Sequence, residues 1–192
     1  MSSKTKILSV AHERFYRNGY LSTSVDDIIQ EAGVSKSNFY YHYKSKEDLG
    51  IAVLDQRKIE FQASVEQTLG DSALSAKERL TRFLQFLVLA QDEHLGRCGC
   101  PFGNLVAEMA EHSERFRCQL SAMFDNLNAQ IACLLDEGQR NGEFRSDVVP
   151  VDMAGLILQT TQGMMLMTKC HRTVDALERT VNLLLRLSMP SS

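Results

Sequence analysis

Apolar residues recur at helical spacing along nearly the whole chain, and no convincing run alternates as a strand would. Near the start the apolar positions follow steps of three, one and four: Ile7, Val10, Ala11 and Phe15. This spacing predicts a first helix over 4–18. It ends at Asn18-Gly19, because glycine commonly follows the last turn of a helix.

Capping signals divide the rest of the chain into further helices. In the first part they predict helices from Ser24 to about 32, from Ser35 to about Tyr43, and from Ser45 to Gly70. In the second part they predict helices from Ser75, from Pro101 to about 110, from Ser113 to about Arg140, over about 152–170 and over about 174–187. The sequence therefore predicts an all-α fold of about nine helices, in which three short helices precede a larger bundle.

Composition narrows the class of protein. With 44% apolar residues, the 192-residue chain can bury a substantial core. The net charge of −3 argues against a protein that coats nucleic acid generally. The basic character is local, because residues 33–46 hold three lysines and no acid.

The sequence favours a cytoplasmic protein. The start lacks the apolar core of a signal peptide, and no apolar run approaches the roughly twenty residues that span a bilayer. We therefore expect no membrane partner. The five cysteines, an odd number, fit reduced thiols better than a disulfide framework.

The stretch "GVSKSNFYYHYKSKEDL", residues 33–49, combines basic and aromatic side chains with a helix start at each end. Two short helices joined by a tight glycine turn form a helix-turn-helix, whose second helix can enter the major groove of DNA. Ala32-Gly33-Val34 supplies the turn. Phe39 and Tyr43, four residues apart, are expected in the core, while the lysine, serine and tyrosine groups offer donors to phosphates.

Across "TSVDDIIQEAGVSKSNFYYHYKSKEDL" the chain resembles the TetR (tetracycline-repressor-like) family of bacterial transcriptional regulators. The matching residues are Thr23, Ile28, Ala32, Gly33, Val34, Ser35, Lys36, Phe39, Tyr40, His42, Tyr43, Lys46 and Leu49. Two positions depart from the family pattern: Ser37 stands where glycine is frequent, and Ile29 where alanine is frequent.

The resemblance implies a ligand-responsive repressor that binds a palindromic operator as a homodimer, with no cofactor and no enzymatic activity. It implies a helix-turn-helix DNA-binding domain over 1–50 and an effector-binding and dimerisation domain over 51–192, with the last two helices pairing between subunits. Lys36, Ser37 and Tyr41 would face base edges. Thr23, Ser24, Ser35, Tyr40, His42 and Lys46 would hold phosphates.

The effector pocket would lie among the fifth to eighth helices. Its candidate residues are Phe83, Phe86, Cys100, Phe102, Met109, Met123, Met164 and Met167. Methionine adapts to varied apolar ligands, although it is also ordinary core filler. The effector is accordingly expected to be small and apolar, or electrophilic.

The segment "RCGCPFGNL" suggests thiol chemistry. Pro101 favours the first helical position, which places Cys100 at the N-cap, where the helix terminus and nearby Arg97 would favour a thiolate. Cys98 is a candidate resolving thiol. The Gly-Cys-Pro-x-Gly-Asn-Leu pattern resembles one subgroup of these regulators, some of which sense electrophiles or oxidants. A small buried cysteine with no sensing role is the alternative.

Three other functions stay open at this point. A metal sensor could use His94, Cys98, Cys100 and His112, although their spacing matches no standard zinc module. A thiol-based redox protein lacks a Cys-x-x-Cys motif and a βαβ setting. A helical adaptor would have no use for the basic, aromatic stretch at 33–46.

Overall fold

The computed structural model describes residues 2–92 and 98–190, which form two compact units. Unit 1 is Met1–Glu60 with Pro101–Leu120, and unit 2 is Phe61–Cys100 with Ser121–Ser192, in both cases for the described residues. The predicted DNA-binding domain, 1–50, lies wholly in unit 1. The boundary at residue 50 stays a prediction.

Within those described ranges the chain forms nine α-helices and no strand, which confirms the predicted all-α fold. They are α1 Ser3–Asn18, α2 Val25–Ala32, α3 Lys36–His42, α4 Lys46–Leu69, α5 Ala76–Asp92, α6 Pro101–Met109, α7 Glu114–Arg140, α8 Pro150–His171 and α9 Asp175–Ser188. Helix α8 begins two residues before the predicted start. Proline suits the first turn of a helix, where its missing N–H leaves no bond unmade.

Side-chain caps set the starts of the short helices in unit 1. The Ser24 hydroxyl accepts from the Asp27 N–H at 3.0 Å, and the Asp27 carboxylate accepts from the Ser24 N–H at 2.8 Å. Ser35 caps α3 by accepting from the Asn38 N–H at 3.2 Å. Each cap satisfies amide groups that the first helical turn leaves unpaired, so these starts follow from local sequence.

Gly33 makes the turn between α2 and α3. Its φ of 63° lies in the left-handed region, where side chains with a Cβ are strained. The Val34 N–H returns to the Ile29 carbonyl at 3.2 Å and closes the end of α2. The predicted helix-turn-helix is therefore present.

The core of unit 1 joins α1, α2 and α3 to α4, α6 and α7. Its buried side chains include Ile7, Ala11, Phe15, Tyr20, Ile28, Phe39, Tyr43, Leu49, Phe102, Leu105, Met109 and Phe116. The Tyr20 ring lies 4.9 Å from that of Phe15 and 5.3 Å from that of Phe116. Gly50 is required beside them, since a Cβ there would stand 2.6 Å from the Tyr20 ring.

Unit 2 has its own continuous core, in which α9 packs on α5 and α8. Its members include Leu80, Phe83, Leu84, Leu127, Ile131, Leu134, Phe144, Ile157, Leu177, Val181 and Leu184. Phe144 anchors the loop between α7 and α8. No helix of the described chain is long and apolar enough to cross a membrane.

Phe116→Ala tests the core of unit 1, with Phe124→Ala as the matched change on the same helix. Phe116 is fully buried, whereas Phe124 is partly exposed. We expect Phe116→Ala to lower the free energy of unfolding by about 3–5 kcal/mol, because it removes a packed ring and leaves a cavity. Phe124→Ala should cost less than half as much in urea denaturation. Equal costs would contradict the packing described.

Candidate functional site

Helix α3 is buried on one side and presents polar and aromatic groups on the other. Phe39 is 0% exposed, and Tyr43 directly after the helix is buried as well, as the spacing predicts. Tyr41 is 83% exposed, and Tyr40 and Lys36 are also exposed. The helix is therefore anchored by its apolar side, and its opposite side is open to solvent.

The start of α3 gathers several hydrogen-bonding groups. The hydroxyls of Ser35 and Ser37 lie 3.0 Å apart, and both side chains are exposed. The Lys36 ammonium lies 3.3 Å from the Asp26 carboxylate, and both partners are exposed. Exposed ion pairs contribute little to stability, so Lys36 can exchange Asp26 for a phosphate or a base at small cost.

Ser24 is placed by the capping box at the start of α2. Its hydroxyl donates to the Asp27 carboxylate at 2.6 Å while accepting from the Asp27 N–H. These bonds from Ser24 lower the pKa of the Asp27 carboxyl, with a smaller contribution from Arg14. Ser24 is exposed and lies in the candidate interface, but its hydroxyl hydrogen already has an acceptor.

Thr23 does not fit its predicted role as a phosphate contact. The residue is 1% exposed, and its hydroxyl donates to the Gly19 carbonyl at 2.8 Å. Its backbone N–H donates to the Tyr20 carbonyl at 3.3 Å. Thr23 therefore shapes the chain between α1 and α2, and we remove it from the candidate DNA contacts.

Lys46, another predicted phosphate contact, is only partly exposed and already has partners within unit 1. Its ammonium lies 4.3 Å from the centre of the Tyr20 ring and 3.5 Å from the Leu21 carbonyl oxygen. Burial lowers the pKa of Lys46, and the Glu108 carboxylate acts in the opposite direction. Burial, with a smaller effect of Glu47, raises the pKa of Tyr20 to about 12, so its hydroxyl stays neutral.

Two sequence profiles match the chain. "Bacterial regulatory proteins, tetR family" matches residues 7–53, and "Tetracyclin repressor-like, C-terminal domain" matches residues 76–184, more than half of the chain. The chain belongs to the TetR family.

Individual family members agree with this assignment. The HTH-type transcriptional repressor DhaR of Mycobacterium sp. (strain GP1) is 29% identical over 93% of this chain and 88% of its own. Among solved structures, regulatory protein TetR from Rhodobacter sphaeroides shares 27% identity at a TM-score of 0.88, over 96% of this chain and 98% of its own. The reduced form of Escherichia coli NemR, which is 18% identical, has the same fold at a TM-score of 0.86. The match covers 99% of this chain and 98% of the NemR chain.

Family membership decides the class of function. TetR-family proteins are DNA-binding transcriptional regulators rather than enzymes, they respond to small-molecule effectors, and they typically act as dimers. The candidate interface on α3 therefore belongs to a DNA-binding helix-turn-helix.

The predicted effector residues are distributed over both units. Phe83, Phe86, Cys100, Met123, Met164 and Met167 belong to unit 2, whereas Phe102 and Met109 belong to unit 1. Phe83 and Met164 are buried in the core of unit 2, and Cys100 packs against it. Met167 is 49% exposed on α8, which favours a surface role over a pocket wall. The set as an effector site stays a prediction.

A groove in unit 2 involves none of these residues. It lies between α5 and α9 and encloses about 400 Å³. Its lining residues are Gln85, Val88, Leu89, Glu178, Val181 and Asn182. Val181 also belongs to the core of unit 2, and nothing in the sequence pattern distinguishes the polar lining residues from ordinary exposed positions.

The cysteine segment packs within unit 2. Gly99 is buried with φ at 68°, and its carbonyl accepts from the Gln91 side-chain amide at 3.3 Å. A Cβ on Gly99 would lie 3.4 Å from Cδ of Lys169, so the stem of that lysine lies beside the chain between Cys98 and Cys100. Sequence reasoning missed Lys169, which is seventy positions away from Gly99.

The metal-sensor alternative gains no support from the part of the chain that the structure describes. Among those residues no group of three or more histidine, cysteine, aspartate or glutamate side chains could hold a metal ion. His94, one proposed ligand, lies outside the described residues, as does Arg97, the proposed cation near Cys100.

Tyr41→Ala tests the DNA-reading surface, with Ile59→Ala as the control. Both side chains are well exposed, at 83% and 71%, but Ile59 lies on α4 outside residues 33–46. We expect Tyr41→Ala to weaken operator binding about tenfold or more in fluorescence anisotropy, since a base contact carries about 1–3 kcal/mol. Ile59→Ala should bind as the unmodified protein does. Unchanged affinity in Tyr41→Ala would remove α3 from the interface.

Proposed function

We propose that the protein is a repressor that binds a palindromic operator as a homodimer and releases it when a small apolar or electrophilic effector acts on unit 2. The observation that carries the DNA-binding part is the two-sided nature of α3, with Phe39 buried and Tyr41 exposed. In this proposal Lys36, Ser37 and Tyr41 face base edges. The phosphate contacts come from Ser24, Ser35, Tyr40, His42 and the partly exposed Lys46.

Exposed apolar residues on α8 and α9 support the dimer. Leu156, Leu166 and Met167 on α8 and Leu183 and Leu187 on α9 are all exposed in the single chain. A Cβ on Gly155 or Gly163 of α8 would meet nothing within 4 Å, so these positions leave room for a second backbone. Pairing two chains through this surface would bury it and place two α3 helices to read half-sites about 34 Å apart.

Release requires a difference in operator affinity between two conformations. Helix α4 runs from Lys46 to Leu69 and so contains the division between the units at Glu60 and Phe61. In the proposed mechanism the effector shifts α4 and alters the separation of the two recognition helices. A differential affinity of about 1–3 kcal/mol between the two states is sufficient for regulation.

Thiol sensing is the effector mode that the cysteine segment favours. The aliphatic stem of Lys169 lies beside Gly99, next to Cys100. In this proposal the Lys169 ammonium supplies the positive charge that favours thiolate at Cys100. The Cys100 thiol gives its proton to solvent and its sulfur attacks an electrophilic carbon. The new carbon–sulfur bond forms as that carbon loses a leaving group with its electron pair, such as iodide from an alkylating agent. With an activated alkene the C=C π bond breaks instead, and the other alkene carbon takes up a proton. Membership of the subgroup with the Gly-Cys-Pro-x-Gly-Asn-Leu segment belongs to the same proposal, as does the cytoplasmic location.

Leu166→Glu combined with Leu183→Glu tests the dimer. Two carboxylates in an apolar contact would be desolvated without partners, so we expect a monomer by light scattering and loss of operator binding. Ile59→Glu, at a position on α4 that is more exposed than Leu166 or Leu183, should stay dimeric. A dimeric double variant would place the interface elsewhere.

Cys100→Ser tests the sensing part on duplex DNA from upstream of the protein's own gene. We expect an alkylating probe such as iodoacetamide to release the unmodified protein and Cys133→Ser from this DNA, because Cys100 is intact in both. Cys133 is an exposed thiol on α7 and serves as the matched control. Cys100→Ser should bind equally well before and after treatment. Release of Cys100→Ser by the probe would assign sensing to another group, and failure of the untreated protein to bind duplex DNA would overturn the whole proposal.

A further inference from the structure

The segment between α1 and α2, residues 19–24, is held by side chains from distant parts of unit 1. We call it the α1–α2 turn. It ends at Ser24, the N-cap of α2, and so determines where the helix-turn-helix begins. Gly19 has φ at 89° and ψ at 156°, a conformation that glycine adopts without strain.

Glu108 of α6 holds the backbone of this turn from one side. Its Oε2 accepts from the Leu21 N–H at 2.7 Å. Its Oε1 stands only 3.0 Å from where a Cβ on Gly19 would lie, so the carboxylate sits directly against the turn. An ionised acceptor makes a stronger hydrogen bond than a neutral one.

Lys46 of α4 holds the same residue from the other side. Its ammonium reaches the Leu21 carbonyl oxygen at 3.5 Å and lies over the Tyr20 ring at 4.3 Å. One residue, Leu21, therefore has its N–H bound by an acid and its carbonyl approached by a cation. The charges complement the two ends of the peptide groups that they contact.

The corner between α6 and α7 is attached to the start of α4 by further contacts. The Ser113 hydroxyl donates to the Glu47 carboxylate. The Arg115 guanidinium donates to the Asp48 carboxylate at 2.9 Å. The Phe116 ring packs against Tyr20. Helix α6 and the first turn of α7 thus belong structurally to the DNA-binding unit, although 87 positions separate Glu108 from Leu21.

We propose that Glu108 is a positioning residue for operator binding, which sets the α1–α2 turn, and through it α2 and α3, by its bond to the Leu21 N–H. The inference rests on the proposed function. It also gives α6 a role in the response, because α6 begins at Pro101, directly after Cys98–Cys100. A displacement of α6 from that end would withdraw the Glu108 carboxylate from the turn.

The direction in which operator affinity changes on replacing Glu108 distinguishes a positioning role from a purely electrostatic one. An acid near DNA repels phosphates, so replacing it should strengthen binding if charge were its only influence. Loss of the Leu21 contact should weaken binding instead. The salt dependence of operator binding also tests the positioning role. Each lost phosphate contact reduces the slope of log K against log salt concentration by about 0.9, and Glu108 contacts no phosphate in this proposal.

The experiment compares Glu108→Met, Glu108→Gln and the control Glu111→Met in operator titrations at several salt concentrations. Methionine fills similar space without an oxygen acceptor, whereas glutamine retains one. Glu111 is an exposed acid just beyond α6. We expect Glu108→Met to bind about tenfold more weakly with an unchanged salt slope, matching the loss of a hydrogen bond to a charged group. Glu108→Gln should recover most of the affinity, and Glu111→Met should bind within about twofold of the unmodified protein.

Unchanged or tighter binding by Glu108→Met, or equal weakening by methionine and glutamine, would overturn the inference. Should Glu108→Met fail to fold, hydrogen exchange of the Leu21 amide is measured in the unmodified protein. We expect this amide to be protected, and unprotected exchange would contradict the hydrogen bond from Leu21 to Glu108. Failure of the proposed function looks different: the unmodified protein and Glu111→Met would then bind no duplex DNA.

Discussion

The DNA-binding surface depends on the burial of Phe39. Helix α3 has only seven residues, and a helix of that length is unstable in water by itself. It persists because Phe39 and the adjacent Tyr43 pack into the core of unit 1, with their rings 6.2 Å apart. The same anchoring leaves Tyr40, Tyr41 and Lys36 on the open side, so one packing contact supplies both the stability of the helix and the direction of its polar groups.

For DNA binding, the charge on and around α3 matters more than the net charge of the whole chain. The chain as a whole is acidic, at −3, yet its recognition helix carries no acid. Three acids of unit 1 have partners inside the unit: Asp27 caps α2, Asp48 pairs with Arg115, and Glu108 accepts from the Leu21 N–H. Because these carboxylates have structural partners, their presence near the helix-turn-helix is compatible with binding a polyanion.

The two units differ in how their surfaces are used. Unit 1 exposes polar and aromatic groups on a short helix, whereas α8 and α9 of unit 2 expose leucine and methionine. Exposed apolar side chains on neighbouring helices favour association with another apolar surface, as a dimer provides. Glu108 lies within unit 1 on α6, a helix that follows the cysteine segment in the chain, and its carboxylate contacts the turn before α2.

The sequence by itself determined the helices and the helix-turn-helix. These elements follow from signals that act within a few residues: the spacing of apolar positions, the serine–acid caps, Gly33 and Pro101. Such signals can be recognised without knowing the fold, and the structure confirms the helices that they predict. Only the tertiary structure decided the partners of Thr23, Lys46 and Glu108, and the placement of Phe102 and Met109 in unit 1. Burial and long-range contacts cause these differences: a threonine or lysine that matches a DNA-binding pattern has donors to offer, but whether they remain free depends on groups that folding brings beside them.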